Sequence, residues 1–343
     1  MASGFVGTRG TSFIVNGKPI YLNGFNSYWS MMFAVDYSTR NKTGLNVARI
    51  WAFDDGDHKP LQSSPGSYNE EVFKGLDFVI AKAQKLGIYM ILRKAKYVEW
   101  ANQHYHNINP NIRNLTEDDF FIDSLTKKYY KNHVKAVLTR NNTITRVVYK
   151  DDPTILAWEL MSEPRCPSDP TGSNLQDWLK EMVVYVKSID NKHLLEIRLE
   201  GFYRESRQYL GNISIFVFLQ SPLPSTNKTE AEQLAFVDKW IESHVLDSNA
   251  VLEKPIVISE FGKSYKLEGY NLDKRNKYSQ KIYDDVYNSA KLGGPFVGGL
   301  FWQLMTSGMD NMADGYNVVL EQSPSTASII AEQSKRLSSL SLY

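Results

Sequence analysis

Two glutamates stand where the chain could use them as a catalytic pair. Glu163 follows the apolar run "PTILAWEL" in the stretch "WELMSEPRC", and Glu260 closes the run "KPIVISEF". A carboxyl group at the end of a buried strand is held rigidly, in surroundings that can tune its ionisation. Two such acids projecting into one opening suit retaining glycoside hydrolysis. One protonates the leaving oxygen while the other attacks the anomeric carbon from about 5–5.5 Å away. Trp51 and Trp302, at what read as neighbouring strand ends, offer flat faces for pyranose rings. Arg49, inside the run "GLNVARIWAF", is placed to hydrogen-bond the nucleophilic carboxylate and hold it ionised. Taken singly, either glutamate also reads as a salt-bridged strand end. The pair with tryptophans beside it favours catalysis.

The elements that must position these groups are eight apolar runs. They cover residues 19–26, 44–53, 87–93, 153–160, 192–199, 213–220, 254–261 and 298–305. Their continuous apolar character predicts strands buried on both faces. Between several of them lie helix-period segments. The first pairs Ser67 with Glu70 as a capping box, carries the stripe Phe73, Leu76, Ile80 and Ala83, and stops at Gly87. Ser173 with Gln176, and Thr229 with Glu232, repeat the signal, the former ahead of Trp178, Met182 and Val186. Strands alternating with helices predict an α/β fold, a closed parallel (β/α)8 TIM barrel, over residues 1–343 as one domain. An open doubly wound sheet is the alternative, but no glycine-rich phosphate loop follows any strand. Two connections are too short for full crossover helices: residues 27–43 and 200–212 carry no helical stripe. Some outer helices are therefore expected to be shortened or missing.

Composition narrows the function. The chain has 39 Lys and Arg against 38 Asp and Glu, a net charge of +1, which gives no reason to expect nucleic acid or an anionic membrane as partner. Aromatic residues make up 13%, enough either for a large core or for a stacking groove. Cys166 is the only cysteine, so no internal disulfide forms and no catalytic thiol is expected. His58, His104, His106, His133, His193 and His244 form no metal-binding pattern, and neither metal nor cofactor is expected. The first residues show no apolar signal-peptide core, and no run approaches the length of a membrane span. Five sequons, at Asn41, Asn114, Asn141, Asn212 and Asn227, nonetheless hint at secretory ancestry.

The stretches "WELMSEPRCPSDP", "ISEFGKS", "GLNVARIWAF", "SPGSYNEEVFKGLDFVI", "YYKNHVKAVLTR" and "GGLFWQLM" resemble the plant endo-β-1,4-mannanases of glycoside hydrolase family 5. The likeness runs from "FVGTRGTSFIVNGKPIYLNGFN" to "SPSTASIIAEQS", nearly the whole chain. It implies endo-hydrolysis of β-1,4-mannosidic bonds in mannans, galactomannans and glucomannans by double displacement. Glu163 is then the acid/base and Glu260 the nucleophile, with Trp51, Ser162, Trp302 and Arg49 binding the sugar or supporting the nucleophile. It also implies a secreted, monomeric protein.

The departures from that pattern shape the expectation. The family has Asn-Glu-Pro where this chain has Ser162, Glu163 and Pro164, and that asparagine donates to the sugar 2-hydroxyl. A His-x-Tyr after strand six corresponds here to Leu219 and Ser221. A helix after strand one and an Asn-rich loop after strand three are also lacking. The chain thus resembles a mannanase copy that has lost segments, with impaired turnover expected. A mannan-binding pseudoenzyme is the alternative, and a poorly folding relic the third reading.

Overall fold

The computed structural model describes residues 4–27, 43–52, 60–93, 116–162, 164–199, 215–220 and 229–341. The chain opens with three short antiparallel strands, β1 (Gly7–Arg9), β2 (Ser12–Val15) and β3 (Lys18–Ile20). Eight parallel strands then close into a barrel. They are β4 (Leu22–Ser27), β5 (Val47–Trp51), β8 (Tyr89–Arg93), β9 (Ile155–Ser162), β10 (Leu194–Leu199), β11 (Ile215–Gln220), β12 (Ile256–Phe261) and β13 (Phe296–Phe301). Each pairs with its neighbour in chain order, and β13 returns to β4. Between β5 and β8 lies a small ribbon, β6 (Gln62–Ser64) with β7 (Ser67–Tyr68). The outer layer contains α1 (Glu70–Leu86), α2 (Ser124–Leu138), α3 (Ser173–Ile189), α4 (Glu230–Asp247), α5 (Leu272–Lys291) and α6 (Pro324–Leu340).

All eight expected strands are present, so the TIM barrel stands. Boundaries move where packing overrules apolar content. β13 runs from Phe296 to Phe301 rather than over 298–305. Its Gly298 lies so close to β4 that an added Cβ would stand 2.7 Å from the Leu22 Cβ. Leu304, expected inside this strand, instead makes an isolated bridge with Val318. β9 extends two residues further than expected, to Ser162.

Two expected capping boxes are corrected. Ser67 belongs to β7, beyond a turn at Gly66 (φ 82°), and α1 is capped by Asn69, whose side chain accepts from the Glu71 and Val72 amides. Before α3 the cap position is Gly172, and Asp169 accepts from the Asn174 amide. Thr229 and Glu232 do form their box, and Gly87 ends α1 in the left-handed region as expected. The stripes Phe73, Leu76, Ile80, Ala83 and Trp178, Met182, Val186 are buried in the main core between helices and barrel. A second cluster fills the barrel interior with Leu22, Val47, Tyr89, Ile91, Ala157 and Val257, and the opening sheet adds Phe13 to it. Most of the two short crossovers, and with them the question of missing helices, lies outside the described residues.

Candidate active site

Strand periodicity alternates side chains between the lumen and the helix layer. On β5, Ala48 and Ile50 join the outer core, Val47 joins the inner cluster, and Arg49 and Trp51 follow Val47 on the inner face. Arg49 is fully buried, and a charge so placed is tolerated only when paired and hydrogen-bonded. Its Nε donates to Glu159 Oε2 at 2.6 Å and its Nη2 to Glu159 Oε1 at 2.7 Å. Its Nη1 donates to Asn26 Oδ1 at 3.0 Å and to Glu260 Oε1 at 2.8 Å. Burial by itself would lower the Arg49 pKa, but Glu159, Glu260 and Glu196 outweigh it and raise the pKa above the ordinary value. The cation is permanent.

The surrounding groups come from five strands. Glu159 on β9 is fully buried and stands in register with the buried Glu196 of β10. Arg93 on β8 brings its Nε within 3.8 Å of Glu159 Oε1. Asn26, at the end of β4, donates to the carbonyls of Ser259 and Phe301, so it ties β4 to both β12 and β13. Glu260, on β12, is 9% exposed and reaches the end of this network at the barrel mouth. There Trp51 and Trp302 meet edge to face, with centroids 5.5 Å apart at 61°. The guanidinium carbons of Arg49 and Arg93 each lie 4.9 Å from the Trp51 ring centroid. Trp302 donates from its indole nitrogen to Asp314, and its peptide bond to Gln303 is cis.

This arrangement is a paired carboxylate at the C-terminal mouth of a parallel barrel, where enzymes of this architecture place their chemistry. The family model described as "GH family 5 beta-mannosidase-like" matches residues 3–213. The mannan endo-1,4-beta-mannosidase 4 of Solanum lycopersicum is 48% identical, over 98% of this chain and 92% of its own length. The chain belongs to glycoside hydrolase family 5. A second relative, mannan endo-1,4-beta-mannosidase 7 of Arabidopsis thaliana, is 46% identical over 98% of this chain and 86% of its own length. Among solved structures, the family 5 mannosidase from Rhizomucor miehei superposes with a TM-score of 0.82 at 19% identity, covering 100% of this chain and 99% of its own. That likeness carries the fold. The endo-beta-1,4-mannanase from Thermotoga petrophila has a TM-score of 0.74 at 27% identity, covering 94% of this chain and 78% of its own.

The tomato comparison spans 377 positions against a chain of 343 residues, so at least 34 of its positions face gaps on this side. The family 5 chain therefore lacks segments that this relative carries, as the short crossovers suggest. Of the expected site residues, the structure brings Arg49, Glu260, Trp51 and Trp302 together. Ser162 is buried at the last position of β9. Glu163 and Ser221 lie outside the described residues, and Leu219 is described only as a backbone position of β11 paired with Leu199 and Ile258. The two tryptophans need one correction. They are not on neighbouring strands, because β4 lies between β5 and β13. Instead of offering two separate faces, they touch each other.

Sequence reading passed over Glu159 and Glu196. Each is an acid inside an otherwise apolar strand. A charge within a buried strand needs a partner in the lumen, and Arg49 supplies the match. Among the described residues no group of His, Cys, Asp and Glu could hold a metal ion. His133 stacks on Tyr68, His193 pairs with Asp190, and His244 packs on Trp240. His58 and the "HYH" of 104–106 lie outside the described residues. No helix among the described residues is long and apolar enough to cross a membrane.

Proposed function

We propose that this chain hydrolyses internal β-1,4-mannosidic bonds of mannans, galactomannans and glucomannans with retention of anomeric configuration. The observation that carries the reading is Glu260: a carboxylate at the barrel mouth, held on one oxygen by a permanent cation, in a chain 48% identical to a protein named as a mannan endo-1,4-beta-mannosidase. In the first step a Glu260 oxygen attacks the anomeric carbon, and the bond to the leaving oxygen breaks. Glu163 donates its proton to that oxygen. In the second step water attacks the glycosyl ester, Glu163 takes the water proton, and Glu260 leaves as carboxylate. Trp302 and Trp51 supply aromatic surface to the sugar. Arg49 donates to Oε1 of Glu260 and so fixes that carboxyl group at the mouth. The same reading makes residues 1–343 a single catalytic domain, secreted and monomeric, with mannan as its partner and no cofactor.

Ser162 favours a second reading, a mannan-binding protein with little or no turnover. A serine is too short to reproduce the amide donor of the family pattern. Losing one donor of that kind lowers kcat by about 10²–10³. The deciding measurement is reducing-end release from mannan by the purified chain, with product stereochemistry followed by proton NMR. Initial formation of the β-anomer, lost in Glu260→Ala and in Glu163→Ala, is the expected result. Initial formation of the α-anomer would sink the double displacement. Binding to mannan with no release of reducing ends would select the second reading.

A further inference from the structure

We propose that Glu159 is a positioning residue, whose carboxylate fixes the plane of the Arg49 guanidinium and thereby holds Glu260 for attack. The inference rests on the reading of Glu260 as nucleophile. Glu159 lies within β9, fully buried, below the mouth and out of reach of a sugar. Its two oxygens accept from Arg49 Nε and Nη2 at 2.6 and 2.7 Å, a bidentate pair. Such a pair keeps carboxylate and guanidinium in one plane and removes the rotation of the long arginine stem. Both hydrogens of Nη1 then point to the opposite edge, where they meet Asn26 and Glu260.

Nothing else in the described network performs this task. Asn26 gives Arg49 a single acceptor, and its amide nitrogen is already committed to the Ser259 and Phe301 carbonyls. Trp51 meets both Arg49 and Arg93 at 4.9 Å, a contact that attracts a cation without orienting its hydrogens. Glu196 adds negative charge to the same lumen. If Glu159 served only to neutralise Arg49, its geometry would not matter; a bidentate pair serves orientation as well as charge. The distinction is testable, because a misaligned nucleophile reacts slowly while sugar binding is kept.

The experiment traps the nucleophile with 2-deoxy-2-fluoro-β-mannosyl fluoride. A Glu260 oxygen bonds to the anomeric carbon, the carbon–fluorine bond breaks, and fluoride departs with the electron pair. Intact mass reports the ester, and its rate against reagent concentration separates the inactivation constant from the binding constant. Glu159→Gln keeps length and one acceptor, so its inactivation constant should fall about tenfold; Glu159→Leu should fall about a hundredfold. The binding constant should stay within about twofold in both, with folding followed by circular dichroism. In an Arg49→Lys background, adding Glu159→Gln should change the rate by less than about twofold, because the two act as a unit. Should Glu159→Leu fail to fold, the Gln variant and the double variant carry the test. A folded Glu159→Gln that reacts at the unmodified rate overturns the proposal, as does a loss confined to binding or full additivity with Arg49→Lys. Labelling that persists in Glu260→Ala, or that is absent from the unmodified chain, overturns the reading of Glu260 and this inference with it. Labelling lost in Glu260→Ala but unchanged in Glu159→Gln overturns this inference alone.

Discussion

Arg49 presents five N–H donors, and four hydrogen bonds run from it to only three groups. On the proposed reading the mouth lacks one donor of the family pattern, the amide that Ser162 replaces. Ser162 is the place to restore it. Ser162→Asn is expected to raise mannan hydrolysis by about tenfold or more, with a smaller change in KM, when assayed beside the unmodified protein. An unchanged kcat would mean that position 162 does not face the sugar. The aromatic pair gives a second outcome. Trp302→Ala should weaken retention in affinity electrophoresis through mannan-containing gels, while Trp51→Ala should weaken it and lower stability by about 1–2 kcal/mol, since Trp51 also covers two guanidinium groups. Equal stability of the two variants would deny Trp51 that second role. Glu260 was legible because it closes an apolar strand at the expected mouth, and Arg49 as the cation placed to meet it, whereas Glu159 and Glu196, inside their strands, were passed over. The contact between Trp51 and Trp302 was not legible, because it depends on side-chain rotamers spanning the width of β4.

The strands were legible because each is apolar throughout, whatever its neighbours do. The helix starts were less so, since serine, asparagine and aspartate compete for the same orphan amides within a few residues. Around α1 the competition is decided by the ribbon of β6 and β7, which takes Ser67 and leaves Asn69 at the cap. Asn69→Ala should therefore destabilise the protein by about 1 kcal/mol in urea unfolding, and Ser67→Ala by much less. The reverse order would restore Ser67 as the cap. Ahead of α3, Gly172 adopts a φ of 74°, and the chain reaches its helix through a turn held by Asp169. A capping-box pattern read from the sequence alone has no means of seeing that turn. The lengths of the two short connections were legible by counting, and between the observed strands they cover residues 28–46 and 200–214.

Two buried aspartates tie elements of the outer layer to one another and to the barrel. Asp77 on α1 accepts from Arg140, from the Tyr149 hydroxyl, and from the amide and hydroxyl of Thr143. Asp190, just after α3, accepts from the Trp158 indole of β9 at 2.6 Å, and its Oδ2 lies 2.6 Å from His193 Nδ1. Burial by itself would raise both pKa values. In each case hydrogen bonds to the anion outweigh it, from Arg140, Tyr149 and Thr143 for Asp77, and from His193 with its charge, Trp158 and the Lys192 amide for Asp190. Both therefore sit below the ordinary aspartate value. A carboxylate depressed in the folded state contributes stability that is fully present above its unfolded pKa of about 3.9. That contribution is lost as pH falls through the folded value. The urea midpoint should consequently change little on account of these groups between about pH 7 and pH 5, then drop below about pH 4. Asp190→Asn keeps an acceptor but removes the charge, and should lower stability at pH 7 by about 2 kcal/mol. Because protonation does to Asp190 what the substitution does, the gap between the two curves should narrow progressively as pH falls below about 4. A gap that stays constant across this range would show that the Asp190 charge plays no part in holding β9 to the segment that leads into β10.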